Sequence, residues 1–505
     1  MRRILSLPFL VILMGLGAAA MYLPAIYAYG QRDMHVARAF FYGGTLFLIL
    51  TAMIGLALGS GLRGNQTRNH LLALLAAFSV LPMMLAAPFA EAVPDTTYLN
   101  AYFEMVSSLT TTGATLFDDP GRLPEAVHLW RALVGWMGGF LVWLMAIAIL
   151  APINLGGFEV TSAGAAGQSQ NRFTQIGQQA TAPERLTRYA RQLFPVYAFL
   201  TAVLWFFLYL AGDRSFVAAI HAMSTLATSG VSPVGGMAGS ASGPGGEMLI
   251  FLFFAFAISR RTFLFERASR YWPTLLSDPE FRMGLLCVAS VPAVLILRHW
   301  LGAYEVDEEQ NLMAALRAFW GSMFTVLSFL TTTGFESVDW GNVRAWSGLH
   351  TPGLLLVGLA LIGGGVGTTA GGAKLLRVYA LYKHGAREVE RMVHPSSVGG
   401  KGAEARHIRR EGAFIAWVFF LLFALSIAAV MVLLALTGLG FQAASIFAIA
   451  AFTTTGPLAQ VAADAPLSYT ELGDWAKIIV IFAMVLGRLG TLSIIALFNP
   501  DWWRA

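Results

Sequence analysis

Long apolar runs, separated by short polar stretches, dominate the pattern of residues along this chain. Ten of these runs are candidate membrane spans: Leu5–Tyr29, Ala39–Gly61, Leu71–Val93, Ala132–Ala151, Leu193–Ala211, Met248–Ile258, Gly284–Leu297, Gly353–Val366, Ile415–Leu436 and Ile478–Phe498. Several reach the roughly 20 apolar residues that cross ~30 Å of hydrocarbon. Only 12% of the 505 residues are charged and 57% are hydrophobic. A soluble protein of this size needs more polar surface, so the pattern predicts an all-α polytopic membrane protein.

One polar peptide pattern recurs four times within this apolar background. Its copies are SSLTTTGATL (Ser107–Leu116), STLATSGVSP (Ser224–Pro233), SFLTTTGFES (Ser328–Ser337) and AAFTTTGPLA (Ala450–Ala459). Each copy follows a span and a shorter semi-apolar segment, and each precedes another span. The short segments are predicted half-helices whose C-terminal ends point at the threonine-rich peptides. Their ranges are Tyr98–Leu109, Phe216–Leu226, Leu312–Leu330 and Phe441–Phe452.

The repeat predicts four non-identical membrane–pore–membrane units around one pore, preceded by two extra transmembrane helices. The predicted boundaries are 1–65 for the extra helices and 66–160, 185–272, 280–392 and 405–505 for units one to four. A helix C-terminus carries a partial charge of about −0.5. Four such ends that converge on one axis favour a cation there.

The threonine-rich peptides have the composition of a cation filter. Glycine permits the positive φ that turns carbonyls to one side, whereas threonine favours extended backbone and adds a hydroxyl oxygen. Four such peptides around one axis form a ring of oxygens that replaces the hydration shell of a cation. Packing of small polar residues between helices is the alternative, but four copies in register favour the filter. The predicted potassium ligands are Thr110, Thr111, Thr112, Gly113, Thr228, Ser229, Gly230, Thr331, Thr332, Thr333, Gly334, Thr454, Thr455 and Gly456.

The charged residues divide the loops into two sets. Basic residues mark 2–3, 63–70, 185–191, 260–282 and 374–410, whereas acidic residues mark 91–95, 118–119, 305–309, 336–339 and 464–474. The positive-inside rule places the basic loops and the N-terminus in the cytoplasm and the threonine-rich peptides toward the outside. Carboxylates near a pore mouth raise the local concentration of cations.

The remaining sequence features argue against an enzyme. We find no Walker loop, dinucleotide fingerprint, nucleophile elbow or metal-ligand spacing of histidines, and no basic domain suited to nucleic acid. Cys287, the single cysteine, lies in an apolar run and is expected to pack rather than react. The first apolar run is too long for a signal peptide and is expected to be retained. No organic cofactor is expected.

Three groups of motifs resemble the Trk/Ktr/HKT superfamily of potassium-uptake proteins, in particular its bacterial membrane subunits. They are FEMVSSLTTTGAT followed by LWRALVGWMGGF, then GGGVGTTAGGAKLLR, and finally MVLGRLGTLS with LFNPDWWR. The resemblance covers nearly the whole chain and implies one pore per subunit. It also implies a homodimer bound to a cytoplasmic nucleotide-binding regulatory ring of the RCK/KTN type. Gly113 resembles the potassium-preferring branch, because sodium-preferring members often carry serine there.

Two positions depart from the family pattern. The second filter reads ATSGV, where an aromatic residue commonly follows the glycine. LGT follows Arg488, where a glutamate is frequent in bacterial members.

We interpret two features as parts of a gate, with support from the resemblance: a charged residue in the last span and a cluster of glycines in the second span of unit three. Arg488 places a fixed positive charge in the last span, which raises the barrier for K⁺; snorkelling or a bond to a carbonyl is the alternative. A glycine-rich stretch is expected to break the second span of unit three into a flexible loop beneath the filter, or else to allow close helix packing. The proposed gating residues are Arg488, Gly363, Gly364, Gly365, Gly367, Gly371, Gly372 and Lys374. Lys374 faces either the inner pore or the lipid head groups.

Glu104 and Arg131 are expected to form a buried ion pair. Glu104 lies in the first half-helix, and Arg131 lies at the start of the following span. Loss of one partner from such a pair is costly, because the other charge is left buried and unpaired.

The function that the sequence favours is K⁺ uptake across a bacterial inner membrane, through a selective, gated pore driven by the membrane potential. The alternative is a secondary transporter that couples K⁺ to H⁺ or Na⁺ by alternating access. K⁺ is the transported ion and the only metal expected. The basic segments near 260–282 and 383–410 are candidate docking regions for the regulatory ring, or loops that meet anionic membrane lipids.

Overall fold

The computed structural model describes residues 8–58, 66–153, 157–158, 182–263, 275–303, 312–347, 353–394, 410–463 and 465–490. Helices and their connections make up this described part, which contains no β-strand. The predicted all-α class is therefore confirmed.

Three helices precede the first pore unit. α1 (Phe9–Ala20) and α2 (Tyr22–Gly30) form one apolar segment with a turn between them, and α3 (Met34–Ala57) packs along both. Asp33 caps α3, because its carboxylate accepts the backbone N–H of Val36 at 3.2 Å. The two predicted extra spans therefore correspond to α1–α2 and to α3.

Units one and two share an order of elements: an outer span, a short pore helix, a threonine-rich peptide and a second span. Unit one contains α4 (Gln66–Ser79), α5 (Leu81–Ala92), α6 (Tyr98–Leu109) and α7 (Glu125–Met145), which continues as a π-helix over Ala146–Leu150. Unit two contains α8 (Ala182–Leu210), α9 (Ser215–Ala227), α10 (Gly243–Phe253) and α11 (Ala255–Ile258). The pore helices α6 and α9 pack between the spans of their own units.

Units three and four repeat this order with additions. Unit three contains α12 (Pro279–Ala303), α13 (Leu312–Leu330), α14 (Trp340–Ser347), α15 (Gly353–Ile362) and α16 (Leu375–Val393). Unit four contains α17 (Arg410–Leu436), α18 (Phe441–Phe452), α19 (Leu458–Val461) and α20 (Asp474–Leu489). The interruption predicted in unit three is present, because α15 ends at Ile362 and α16 begins at Leu375.

The four units pack in a ring. The second span of each unit contacts the pore helix of the next unit: α7 contacts α9, α10 contacts α13, α15 contacts α18, and α20 contacts α6. The last of these contacts joins unit four to unit one. Each pore helix is therefore held between its own unit and the preceding unit of the ring.

The helix lengths agree with the expected mixture of spans and half-helices. Three predicted half-helices coincide with α6, α13 and α18, and α9 is one residue longer at each end than predicted. Within the described residues, six helical segments are long and apolar enough to cross a bilayer: Phe9–Gly30, Met34–Ala57, Leu71–Ala92, Glu125–Leu150, Arg185–Leu210 and Gly412–Leu436. The motif LFNPDWWR and the end of the last predicted span lie outside the described residues.

Two glycines let the second spans approach the ends of pore helices. A Cβ on Gly138 of α7 would lie 2.1 Å from the carbonyl oxygen of Leu109, the last residue of α6. A Cβ on Gly487 of α20 would lie 2.3 Å from the carbonyl oxygen of Phe452, the last residue of α18. Since the obstructing atoms are backbone, no side-chain rotation relieves the overlap.

The substitution Gly138→Ala is expected to destabilise the folded protein by about 1–3 kcal/mol, as overpacking against fixed atoms does. The midpoint of thermal unfolding in detergent, followed by size exclusion, measures the effect. Gly358→Ala on α15 is the matched control, because no heavy atom lies within 4 Å of its Cβ position. The control is expected to be neutral or slightly stabilising, since alanine favours helix. An unchanged midpoint for Gly138→Ala contradicts the close packing.

Candidate functional site

Each pore helix ends in the same hydrogen-bonded turn, which starts the threonine-rich peptide. The central four residues of each peptide are 110–113, 227–230, 331–334 and 453–456. The backbone N–H of the third of these four residues bonds back to a carbonyl in the last turns of the helix, as in the common helix-ending motif. These bonds join Thr112 to Ser107 (2.8 Å), Ser229 to Ser224 (2.9 Å), Thr333 to Ser328 (2.9 Å) and Thr455 to Ala450 (2.9 Å). One turn geometry therefore directs all four peptides, although the helices differ in sequence.

The middle residue of each peptide has a left-handed backbone. Its φ is +55° at Thr111, +52° at Thr228, +59° at Thr332 and +53° at Thr454. This conformation is rare for a β-branched residue and costs on the order of 1–3 kcal/mol. The expectation of extended backbone is wrong at this position, because the turn that ends each helix overrides the preference of threonine.

The filter glycine two residues later is also left-handed in units one to three. Its φ is +72° at Gly113, +65° at Gly230 and +84° at Gly334. Left-handed residues that alternate with ordinary ones turn successive carbonyls toward one side of a peptide. Rings of such carbonyls are the ligands that cation filters use.

The four peptides touch in a closed cycle at their glycines. At each glycine a Cβ would lie closer to the next peptide than real Cβ atoms come to any atom. Such a Cβ would lie 2.0 Å from Ser229 for Gly113, 2.3 Å from Thr333 for Gly230, 2.9 Å from Pro457 for Gly334 and 2.1 Å from Ala114 for Gly456. The structure thus brings the four predicted peptides together in the order one, two, three, four and back to one.

Hydroxyl groups of the first and third threonines bond to each other within a peptide. The oxygen–oxygen distances are 2.7 Å for Thr110 and Thr112, 3.1 Å for Thr331 and Thr333, and 3.2 Å for Thr453 and Thr455. Unit two has alanine at the first position, and there Ser229 bonds to Ser224 at 3.2 Å. In units one, three and four, the middle threonine hydroxyl bonds to other elements of the protein.

The fourth peptide departs from the other three on its outer side. The backbone of Gly456 is not left-handed, and the chain turns at once into α19. The carbonyl of Thr455 accepts the N–H of Leu458 at 3.1 Å, and that of Gly456 accepts the hydroxyl of Tyr469 at 3.1 Å. The N–H of Gly456 donates to the carbonyl of Thr112 at 2.6 Å. Three of the carbonyls predicted as ligands therefore have partners within the protein.

The guanidinium of Arg488 contacts the inner ends of two filter peptides. Its Nη2 donates to the hydroxyl of Thr111 and to the carbonyl of Thr369, both at 2.6 Å. Its Nη1 lies 3.5 Å from the hydroxyl of Thr454. The sequence left a bond from Arg488 to a carbonyl as the alternative to a gate. Arg488 does make such a bond, to Thr369, and it does so from a position directly beneath the filter.

The glycine-rich loop of unit three, residues 363–374, reaches the same level. The N–H of Gly371 donates to the hydroxyl of Thr332 at 2.7 Å, and the hydroxyl of Thr369 donates to the carbonyl of Leu226 at 3.1 Å. A Cβ on Gly371 would lie 2.2 Å from the carbonyl oxygen of Thr453, so a larger residue does not fit. Arg488 and this loop together contact the middle threonines of units one, three and four.

A cavity of about 70 Å³ lies on the inner side of these contacts. Three basic side chains, Arg488, Lys374 and Arg377, line this small space. Lys374 turns back into its own loop, where its Nζ donates to the carbonyl of Ala370. The guanidinium of Arg377 lies 3.6 Å from the ring centroid of Phe419. The positive charge of these basic side chains opposes the entry of a further cation into the cavity.

Glu280, which the sequence analysis did not single out, lies on α12 and ties the glycine-rich loop to that helix. Its carboxylate accepts the N–H of Val366 at 2.7 Å, and the N–H of Gly365 donates to the carbonyl of Ala257 at 3.0 Å. The available signal was a pair of carboxylates, Asp278 and Glu280, in an otherwise basic segment. The loop predicted to be flexible is closely bonded in this conformation.

The predicted ion pair in unit one is present and also contacts the filter segment. The Nε of Arg131 lies 2.8 Å from Oε2 of Glu104, and both side chains are buried. The other oxygen of Glu104 accepts the N–H of Leu116 at 2.6 Å and the hydroxyl of Thr115 at 2.9 Å. Because these residues follow Gly113, the pair holds the outer side of the first peptide as well as its helix.

Glu247 is a second residue that the sequence analysis missed. It lies on α10 of unit two and accepts bonds from unit three: the N–H of Val338 at 2.6 Å, the hydroxyl of Ser337 at 3.0 Å and the indole of Trp320 at 2.9 Å. The sequence feature that could have identified Glu247 is a single carboxylate at an apolar span, since such residues are rarely without a role.

The outer mouth carries Glu336, two residues beyond Gly334. Burial raises the pKa of the Glu336 carboxyl above its ordinary value, and the positive charge of Arg344 opposes this rise. The charge of this carboxylate is therefore lost at a less acidic pH than that of a fully solvated glutamate.

Spans that surround a ring of pore helices and threonine-rich peptides define a polytopic membrane transport protein rather than an enzyme. A family model described as TrkH, a cation transport protein, matches residues 37–503. The chain therefore belongs to the TrkH family of cation transport proteins, and its assignment to the Trk superfamily from sequence motifs is confirmed.

Similar proteins cover nearly the whole chain. The Trk system potassium uptake protein TrkH of Escherichia coli K12 is 30% identical over 468 residues, which cover 90% of this chain and 91% of that protein. Its counterpart in Salmonella typhimurium is 30% identical over 502 residues, covering 96% of each chain. The crystal structure of the potassium transporter TrkH from Vibrio parahaemolyticus superposes with a TM-score of 0.80 at 26% identity, covering 99% of each chain.

Cation uptake is expected to fall as the external pH is lowered through the raised pKa of Glu336, because protonation removes a negative charge at the mouth. Glu336→Gln is expected to take up less cation at neutral pH and to show a weaker dependence on pH. Radioactive Rb⁺ uptake by cells between about pH 7 and about pH 4.5 measures both effects. Glu471→Gln, an exposed carboxylate on the segment after the fourth filter, is the control. Identical pH profiles for Glu336→Gln and the wild type contradict this role.

Proposed function

We propose that this chain takes up K⁺ across the bacterial inner membrane, through a selective, gated pore driven by the membrane potential. The observation that carries the proposal is the closed cycle of four filter peptides whose inner hydroxyls contact Arg488 and the glycine-rich loop. The relatives from Escherichia coli and Salmonella are named as potassium uptake proteins, which supports K⁺ as the cargo. Each charge that enters gains ~2.3 kcal/mol per 100 mV.

The proposed ligands of K⁺ are the threonine, serine and glycine residues of the four peptides. Glycine stands at the filter position of every unit, including Gly113, and no carboxylate lies within the four tetrapeptides 110–113, 227–230, 331–334 and 453–456. Neutral oxygens that replace a hydration shell suit K⁺, which holds its water less tightly than smaller cations. The left-handed backbone at the middle threonine and at the glycine supports carbonyls that face the axis in units one to three.

The proposed gate consists of Arg488, Lys374 and the glycine-rich loop. A K⁺ that leaves the filter inward meets the guanidinium beneath Thr111 and Thr454, and then a cavity lined by further positive charge. Conduction requires the loop and Arg488 to withdraw from the filter. The present arrangement therefore corresponds to a closed pore.

A K⁺ symporter that uses H⁺ or Na⁺ and alternating access is the second candidate. Broken helices are common around the binding sites of such transporters, and the second span of unit three is interrupted here after Ile362. Single-channel recording from purified protein separates the two: unitary currents support a pore, and turnover at transporter rates alone supports alternating access.

The proposal extends to partners and topology. A homodimer bound to a cytoplasmic nucleotide-binding ring is inferred from the resemblance to Trk and Ktr membrane subunits. The C-terminal part of α16 suits such docking or contact with anionic lipids, because exposed Tyr382 and Met392 lie beside Lys383, Arg387 and Arg391. The basic loops support a cytoplasmic N-terminus.

Wild-type protein is expected to restore growth of a K⁺-uptake-deficient bacterium on low K⁺, and Gly334→Ser is expected to fail or to admit Na⁺. The reason is that Gly334 has a φ of +84° and its Cβ position lies 2.9 Å from Pro457. Growth across a series of K⁺ concentrations, with membrane protein quantified, measures the effect. Gly341→Ser is the control, since nothing lies within 4 Å of its Cβ position. Failure of the wild type to restore growth contradicts the proposed function.

Arg488→Ala is expected to raise K⁺ flux through the resting protein, because the charge and the bonds beneath the filter are both removed. Arg488→Lys keeps the charge but not the planar fork that contacts two threonines, so it separates electrostatics from bonding. Rb⁺ flux into liposomes measures all three proteins. Flux that does not change in Arg488→Ala removes this residue from the gate.

A further inference from the structure

One position of the pore helices recurs behind the filter. Counted back from each filter glycine, the ninth residue is Glu104, His221, Thr325 and Phe447 in units one to four. All four side chains are buried. The position is therefore the same in register and in burial in all four units, although its side chain ranges from charged to apolar.

In units one to three this side chain bonds to the segment that follows the glycine. Glu104 accepts the N–H of Leu116, as described above. The Nε2 of His221 lies 2.9 Å from the hydroxyl of Ser232, and the hydroxyl of Thr325 accepts the N–H of Ser337 at 3.2 Å. The bonded residues lie two or three positions after their glycines. In unit four the ring of Phe447 instead packs 4.9 Å from that of Tyr469.

His221 is the member of this set whose side chain reaches two filter peptides. Its ring meets the ring of Phe335 edge-on with centroids 5.6 Å apart, and Phe335 directly follows Gly334 of the third filter. Its Nδ1 lies 4.0 Å from the carboxylate of Asp213. One side chain therefore contacts the outer segments of both the second and the third filter peptides.

Asp213 is itself held in place. Its carboxylate accepts the hydroxyl of Ser240 at 2.7 Å, and the N–H and the hydroxyl of Ser242 at 2.9 and 3.0 Å. A fixed carboxylate beside Nδ1 favours a proton on that nitrogen, which leaves Nε2 to accept the hydroxyl of Ser232. The hydroxyl oxygen of Ser232 in turn accepts the N–H of Val234 at 3.2 Å.

We propose that His221 is a positioning residue for ion selection, which sets the separation of the second and third filter peptides by bonding Ser232 and packing on Phe335. The proposal rests on the proposed function of the chain as a K⁺ pore. The second filter needs this support, because its first threonine is replaced by Ala227 and it lacks the internal hydroxyl bond of the other units. A filter with one loosened peptide discriminates less well between cations of different size.

The test compares radioactive Rb⁺ and Na⁺ uptake by liposomes that contain the full chain. In His221→Leu the Rb⁺-to-Na⁺ ratio is expected to fall about fivefold, the size of effect that one net hydrogen bond produces. His221→Gln is expected to restore the ratio, since its amide oxygen reaches Ser232. His128→Leu is the matched control, a buried histidine of α7 bonded to the carbonyl of Pro120 at 2.9 Å.

The outcomes separate the possible failures. A reduced ratio in His221→Leu that returns in His221→Gln supports the proposal, provided that His128→Leu keeps the wild-type ratio. Uptake of both ions that falls in proportion, with the ratio unchanged, overturns it and leaves a purely structural role. Ser232→Ala removes the same bond from a half-buried site and decides the question if His221→Leu does not fold. Wild-type liposomes that take up neither ion contradict the proposed function itself.

Discussion

A peptide that leaves the helix inside a membrane has to find bonds for its backbone within the protein, and the whole structure depends on this constraint. Each filter peptide meets it first with the turn that ends its pore helix. The turn forces the middle threonine into a left-handed conformation that its branched side chain disfavours. Contacts from three directions offset that strain: the next peptide, the outer tethers and the elements beneath.

The same middle threonines connect the filter to the elements below it. Their hydroxyls bond to Arg488 and to the N–H of Gly371, whereas the neighbouring hydroxyls bond to each other. In the proposed gate, displacement of the loop removes this bond from the filter as it opens the space beneath. The proposed gate therefore couples filter conformation to inner access through bonds made by single side chains.

Much of this architecture was accessible from local pattern. The half-helices coincide with α6, α13 and α18 because each has a sharp change from apolar to threonine-rich sequence at its end. The break after Ile362 was predictable because clustered glycines disfavour helix. The hydrogen bonds of Glu247 and Glu280 to unit three were not predicted, since a carboxylate in the sequence does not identify a partner about 90 residues away. The helix that directly follows the fourth filter, α19, was also not predicted, although Pro457 after the filter glycine was a sequence signal for it.

The sequence by itself determined the membrane-spanning class, the fourfold repeat and the residue types of the filter, because these follow from local hydrophobicity and spacing. Only the tertiary structure decided which threonine hydroxyls contact Arg488 and the glycine-rich loop, how the glycines meet in a cycle and where Arg488 lies. Those features depend on hydrogen bonds and close backbone approaches between segments far apart in the chain, and periodicity along the chain carries no information about such distances.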